Sequence, residues 1–390
     1  MAQYHPAEND ISAHIKGDYV NTLDIEDFSR MLKDPAYCYK FYWLEALVIL
    51  ISEGRLNFTL SDVIDEMIVN AWYSVLEFHI HLSGMQLGEI RDGLERAVLK
   101  LAALSDLPAS ASRVEIKNGI AEYSKELHKD KTQLTHMVPF RALAGFFNRY
   151  NLSVSWENKT QLVDQIEHIN AHTVLLPYTF GRSSGLQREV YVHPIWAQMI
   201  MENTVPILGW IQFEKTKWLQ LNNPEVPGLV YKLSPLNEKM RKLNNVRKLW
   251  SGILEIQPIM DVFTGQPISA TDYDVDHFIP WSFVMNDELW NLMPMDSSLN
   301  SAKSNNLPRW EPFFPRFAEN QFILYQLIQE KPELMKRYKA CTRDNLHSIW
   351  ADQELYRPGN SRQIFTHILE SNMHPVYDSA KRQGYDIWQF

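Results

Sequence analysis

Apolar positions recur at three- and four-residue spacing through most of the first half of the chain, which predicts a helical region. Asp27 to Leu32 reads as a short helix that stops near Asp34-Pro35. Tyr37 to Ser52 reads as a long apolar helix closed by Gly54, a residue suited to the position after a helix end. Ser61 or Asp62 can cap the next helix, which runs to about Leu82; in it Val63, Met67, Asn70, Ala71, Ser74, Phe78 and His81 form a mostly apolar stripe. The helical pattern repeats over Ile90 to Leu104, Ile120 to Leu127 and Phe140 to Phe147, with a loop at Leu107 to Arg113. The middle is less regular. A turn-rich break at Phe180 to Gly185 precedes a short strand at Val190 to Val192, then helices over Ile195 to Asn203 and Leu208 to Leu221. Asn222-Asn-Pro-Glu-Val-Pro-Gly228 is the strongest punctuation and predicts a connection. Asn237 to Ile253 returns to helix, the period shortens to strands from Ile259, and helix resumes after Pro315.

Composition narrows the class. Hydrophobic residues are 45% and charged residues 22% of the 390, the balance of an ordinary globular protein. The 38 basic and 47 acidic residues leave a formal charge of −9, which excludes coating of nucleic acid by bulk positive charge but not a local basic groove. The longest aliphatic stretch, Leu44 to Ile51, contains Glu45 and is too short to span a bilayer. The start, Met-Ala-Gln-Tyr-His, lacks a basic and apolar leader, so a cytoplasmic location with no membrane contact is expected. Cys38 and Cys341 are the only cysteines. With no CxxC pair there is no zinc knuckle or thioredoxin-type motif, and two separate buried thiols are expected.

One stretch carries chemistry: Asp274-Val-Asp276-His277-Phe-Ile-Pro280-Trp-Ser-Phe283, then Asp287-Glu-Leu-Trp290-Asn291, then Leu299-Asn300-Ser-Ala-Lys303 and on to Leu307-Pro308. Ile259 to Phe263 predicts a strand, Thr264 to Pro267 a turn, and Asp274 to Ile279 a second strand stopped by Pro280. A helix can begin at Asp296 or Ser297, which places Asn300 in its first turns and Lys303 on the same side. Asp and Asn supply hard oxygen ligands that suit magnesium or manganese rather than zinc. A neutral His beside them can take a proton from water, and a divalent ion with a general base is the minimal set for phosphodiester hydrolysis.

These residues resemble the HNH, or ββα-metal, nuclease family, and are especially similar to the HNH domain of the RNA-guided CRISPR DNA nuclease. The resemblance spans Ile259 to Pro308. It implies His277 as general base, Asp276 and Asn300 as metal ligands, Asn291 as the central motif Asn that holds the His loop, and Lys303 as a residue positioning phosphate or neighbouring acids. The bound ion would be Mg2+ or Mn2+, with no structural zinc, since the CxxC pairs that frame many family members are missing. Ser298 stands where some members carry an acid. In an ideal strand Asp276 and His277 point to opposite faces, so both reach one phosphate only if the strand is irregular or ends there.

Basic residues cluster at Lys232, Lys239, Arg241, Lys242, Arg247 and Lys248 against the single acid Glu238, a candidate phosphate-contacting set or an equally ordinary solvated helix face. Arg309 and Arg316 are further DNA-contact candidates by proximity; Lys336, Arg337, Lys339 and Arg343 read as a solvated face. Tyr385, Trp388 and Phe390 end the chain with aromatics that either dock on its own core or face a partner. The expectation is an α+β protein, mainly helical, with a small ββα-metal HNH nuclease domain near the C-terminus. Residues 1–240 would be a helical recognition, regulatory or oligomerisation region, 241–310 the nuclease domain and 311–390 a helical C-terminal segment. The function expected is metal-dependent hydrolysis of DNA, in a bacterial restriction or phage-defence setting, with a homo-oligomer or protein partner engaged through the N-terminal region. The alternatives are a nucleic-acid-binding or effector subunit of a multiprotein complex, active only with a partner, and a nuclease acting on RNA.

Overall fold

The computed structural model describes residues 11–15, 19–33, 35–84, 92–233 and 241–390. It forms two compact units, Met1–Pro224 and Glu225–Phe390, and the boundary falls inside the Pro- and Asn-rich segment that the sequence marks as a connection. The protein is mainly helical with small sheets. Among the described residues no helix is long and apolar enough to cross a membrane.

In the first unit the apolar helix α1 (Tyr39–Ser52) is buried on nearly every side, as expected of a helix without a polar face. It packs against α2 (Leu60–Phe78) and α4 (Thr204–Asn222), while α3 (Gly93–Ser105) packs on α2. The charge inside α1 has a partner: Lys215 on α4 donates to Glu45 Oε2 at 2.8 Å, both side chains being buried. The cap of α2 is Thr59 rather than Ser61 or Asp62. Thr59 Oγ1 accepts from Asp62 N–H while Asp62 answers the Thr59 N–H, a reciprocal pair that cap preference alone places a few residues late. Three short strands, β1 (Asn57–Thr59), β2 (Tyr178–Phe180) and β3 (Glu189–Val192), form an antiparallel sheet in the order β1-β3-β2. Both cysteines are free and buried, Cys38 here and Cys341 in the second unit.

The second unit is built on one large apolar cluster. It joins α5 (Asn244–Leu254), the hairpin β4 (Asp274–His277) and β5 (Leu292–Met295), and the helices α7 (Trp310–Glu330), α8 (Pro332–Asn345) and α9 (Arg362–Arg382). The short helix α6 (Ser297–Lys303) lies against β4. The strand expected at Ile259 to Phe263 is reduced to a single bridge between Met260 and Pro267. Asp261 is the reason: its Oδ1 accepts from Phe263 N–H at 3.0 Å and Thr264 N–H at 2.9 Å, so the side chain takes donors that a strand would need. The second strand of the ββ unit is instead β5, which follows the motif's central loop. Of the terminal aromatics, Tyr385 and Trp388 dock on the unit's own core and Phe390 is exposed. Tyr385 and Trp388 are buried, against Phe283 and Phe263 respectively, and Leu307 and Trp388 are tied by backbone hydrogen bonds, Leu307 N–H to Asp386 O and Trp388 N–H to Leu307 O.

Lys232 departs from the basic cluster to which the sequence assigns it. It is fully buried, donates to Phe283 O at 2.6 Å and lies over the Phe283 ring. Burial lowers its ammonium from the usual value to about 7. The unfolded chain therefore holds this proton between pH 7 and about 10.4 while the native protein releases it, so stability rises with pH across that window. Urea unfolding at pH 7 and pH 9.5 should show wild type gaining on the order of 2 kcal/mol more than Lys232→Met. Equal gains would mean that the buried amine keeps its proton.

Candidate active site

β4 and β5 pair antiparallel, with Asp276 opposite Met293 and His277 opposite Leu292. The segment between them is gathered by Asn291, fully buried, whose side chain closes a two-way clasp on Ile279. Ile279 N–H donates to Asn291 Oδ1 and Asn291 Nδ2 donates to Ile279 O, each at 2.8 Å. α6 starts where a good cap allows it: Asp296 Oδ1 accepts from the N–H groups of Ser298 and Leu299.

Alternate residues of β4 meet residues three apart on α6. Asn300 Nδ2 donates to Asp274 Oδ2 at 3.1 Å. Lys303 Nζ donates to Asp276 Oδ2 at 2.9 Å and to His277 O at 2.9 Å, and its side chain is 1% exposed. Strand alternation puts Asp274 and Asp276 on one side of β4 and Val275 and His277 on the other, and the burial pattern follows it. The strand ends at His277: the Asp276 side chain faces α6 and the His277 side chain faces Asn286 and Asp287, while Lys303 bonds both the Asp276 carboxylate and the His277 carbonyl. Asp274 is the member of this constellation that the motif leaves without a role; its two-residue spacing from Asp276 is the signal in the sequence that points to it.

His277 is fully buried. Its Nε2 lies 3.1 Å from Asn286 O and 3.2 Å from Asp287 Oδ1, both acceptors. Its Nδ1 lies 3.4 Å from Arg241 Nη2, a group that can only donate. The neutral ring in this setting carries its proton on Nε2 and presents its lone pair at Nδ1. Burial by itself would raise the Asp287 carboxyl. The contact with His277, the Lys242 N–H and the Arg241 charge outweigh it and hold the carboxyl below its usual range.

The predicted phosphate-binding side chains separate. Arg241 lies at His277 and over the Trp281 ring. Arg247 donates to Tyr273 O and pairs with Asp274 at 3.3 Å. Lys242 is tied to Asp344 at 2.9 Å. Lys248 and Arg309 are exposed, Arg309 lying over Phe313. Arg316 donates to the carbonyls of Val262 and Phe263 and so braces the turn there. Lys239 lies outside the described residues.

The donor set fits a hard divalent ion. Asp274, Asp276 and Asn300 offer two carboxylates and an amide oxygen, and Lys303 engages only one oxygen of Asp276. Among the described residues no three His, Cys, Asp or Glu converge as a metal cluster. The helices that follow hold the other side of the loop. Asn345 Nδ2 donates to Asp287 O and Lys242 O, Glu288 accepts from the N–H groups of His347 and Ser348, and Gln321 donates to Leu292 O.

Residues 261–309 match the family model described as HNH endonuclease. The chain thus carries an HNH-family domain near its C-terminus, a class whose chemistry is cleavage of nucleic acid. No solved structure matches the chain.

Asn291→Ala removes both halves of the Ile279 clasp and leaves a buried N–H and a buried C=O unpaired. At about 1–3 kcal/mol for each orphaned group, the variant should lose on the order of 3 kcal/mol in urea unfolding. A loss below about 1 kcal/mol would show that the loop is held by other contacts.

Proposed function

We propose that the protein is a metal-dependent endonuclease that hydrolyses DNA phosphodiester bonds. One observation carries the reading. In the segment that matches the HNH family, hard-oxygen donors on β4 and α6 are joined in a ladder at the same strand whose last residue is a His with its Nδ1 lone pair directed away from its anchoring carbonyl. Asp276 and Asn300, with Asp274 beside them, would hold a magnesium or manganese ion, which supplies neutralising charge to the scissile phosphate and the departing oxygen.

The chain's own residues do the rest. His277 accepts a proton at Nδ1 from the water that attacks phosphorus, while the bond to the 3′-oxygen breaks and that oxygen takes up a proton from solvent water. The family resemblance implies 5′-phosphate and 3′-hydroxyl ends. Lys303 orients Asp276 and fixes the His277 carbonyl. Arg241 and Arg247, both half-exposed at the site, contact phosphate oxygens of the bound strand. A restriction or phage-defence setting is the context that the resemblance implies.

Purified protein incubated with supercoiled plasmid and Mg2+ or Mn2+ should nick or linearise it. EDTA should stop the reaction, and His277→Ala should be slower by about a hundredfold or more. Cleavage by His277→Ala at the wild-type rate would end the assignment of the base. Independently of cleavage, Asp276→Asn should weaken Mn2+ binding by about tenfold or more, read from the electron paramagnetic resonance of free Mn2+. Unchanged affinity would place the ion elsewhere.

A further inference from the structure

Asp287 is absent from the residues to which the family resemblance assigns a role, yet its carboxylate lies 3.2 Å from His277 Nε2. Its side chain is 5% exposed. Oδ2 accepts from Lys242 N–H at 2.7 Å. Oδ1 lies 3.2 Å from His277 Nε2 and 3.9 Å from Arg241 Nε. The well-directed bond of Nε2 goes to Asn286 O at 3.1 Å, so Oδ1 is buried without a directed hydrogen bond of its own. A buried carboxylate oxygen in that state is costly unless positive charge or an N–H dipole faces it. Here both do, from Nε2–H and from Arg241.

Two oxygens therefore face one ring nitrogen, the carbonyl of Asn286 and the carboxylate of Asp287. A lone pair on Nε2 would point into both. The proton is held on Nε2, and Nδ1 is left to accept. The loop that carries Asp287 is itself fixed by Asn345, which donates to the Asp287 carbonyl at 2.8 Å, and the Lys242 N–H holds the carboxylate.

We propose that Asp287 is a positioning residue for hydrolysis: its carboxylate reinforces the Asn286 carbonyl in holding the His277 proton on Nε2, which keeps the Nδ1 lone pair, facing Arg241, as the acceptor. This rests on His277 being the general base. It predicts an inverted pattern of substitution. In Asp287→Asn the Lys242 N–H still requires an acceptor, so the amide oxygen stays on that side and the NH2 group turns to His277. A donor facing Nε2 drives the ring proton to Nδ1 and removes the acceptor needed for catalysis. In Asp287→Ala the Asn286 carbonyl remains and the working tautomer survives. A side chain that merely fills space would give the opposite order, with the isosteric Asn tolerated better than Ala.

The experiment compares plasmid cleavage by wild type, Asp287→Asn and Asp287→Ala, alongside 15N–1H NMR of the histidine rings, the His277 signals being assigned by their loss in His277→Ala. Asp287→Asn should lower kcat by roughly a hundredfold or more with KM within about threefold, and Asp287→Ala by about tenfold. The His277 ring should change from the Nε2–H to the Nδ1–H pattern in Asp287→Asn only. Retention of the Nε2–H pattern in Asp287→Asn overturns the proposal whatever the rates, and so does an Asp287→Asn enzyme as fast as Asp287→Ala or faster. If wild type and His277→Ala cleave alike, the general-base reading fails instead, and the NMR comparison still reports whether Asp287 sets the tautomer.

Discussion

The second unit depends on a buried ammonium. Lys303 reaches from α6 into the interior and ends between the Asp276 carboxylate and the His277 carbonyl. Desolvating an ammonium costs several kcal/mol unless charge and lone pairs meet it, and these two acceptors do so together. The contact thereby fixes the rotation of α6 against β4. Once Lys303 is seated, Asn300, three residues earlier on the same side of the helix, falls opposite Asp274. The pairing of Asn300 with Asp274 is a consequence of where one lysine is anchored.

The opposite side of β4 obeys a different constraint. His277 projects away from the carboxylates into a loop whose shape is set by backbone capture: Asn291 clasps Ile279, Asn345 holds the carbonyls of Lys242 and Asp287, and Glu288 receives the chain at His347 and Ser348. Residues after 310 are thus part of the same body as the motif. They share its apolar core and brace the loop between β4 and β5. A small ββα element has too little core of its own, and the helices α7 to α9 extend it.

Much of this is legible in the residues alone. The helical first half, the buried thiols, the connection near Pro224, the cap at Asp296 and the placement of Asn300 and Lys303 all follow from local chemistry: periodicity, cap residues and turn residues act within a few positions. The misplacements have equally physical causes. Asp261 turns an apolar, β-prone segment into an Asx turn. Thr59 outcompetes Ser61 and Asp62 as a cap because a reciprocal bond is open to it. Lys232 reads as one more surface base in a run of bases, and only the packing of Phe283 over it makes it a core residue.

The sequence by itself placed a carboxylate, an imidazole and an amide at spacings that resemble the HNH family, and it determined the local frame of α6. Only the tertiary structure decided which strand pairs with β4, that Asp274 stands beside Asn300, that Asp287 lies behind His277, and which of the clustered bases reach the site. Strand pairing and buried ion contacts join residues far apart in the chain, and their energies depend on burial that no local pattern encodes.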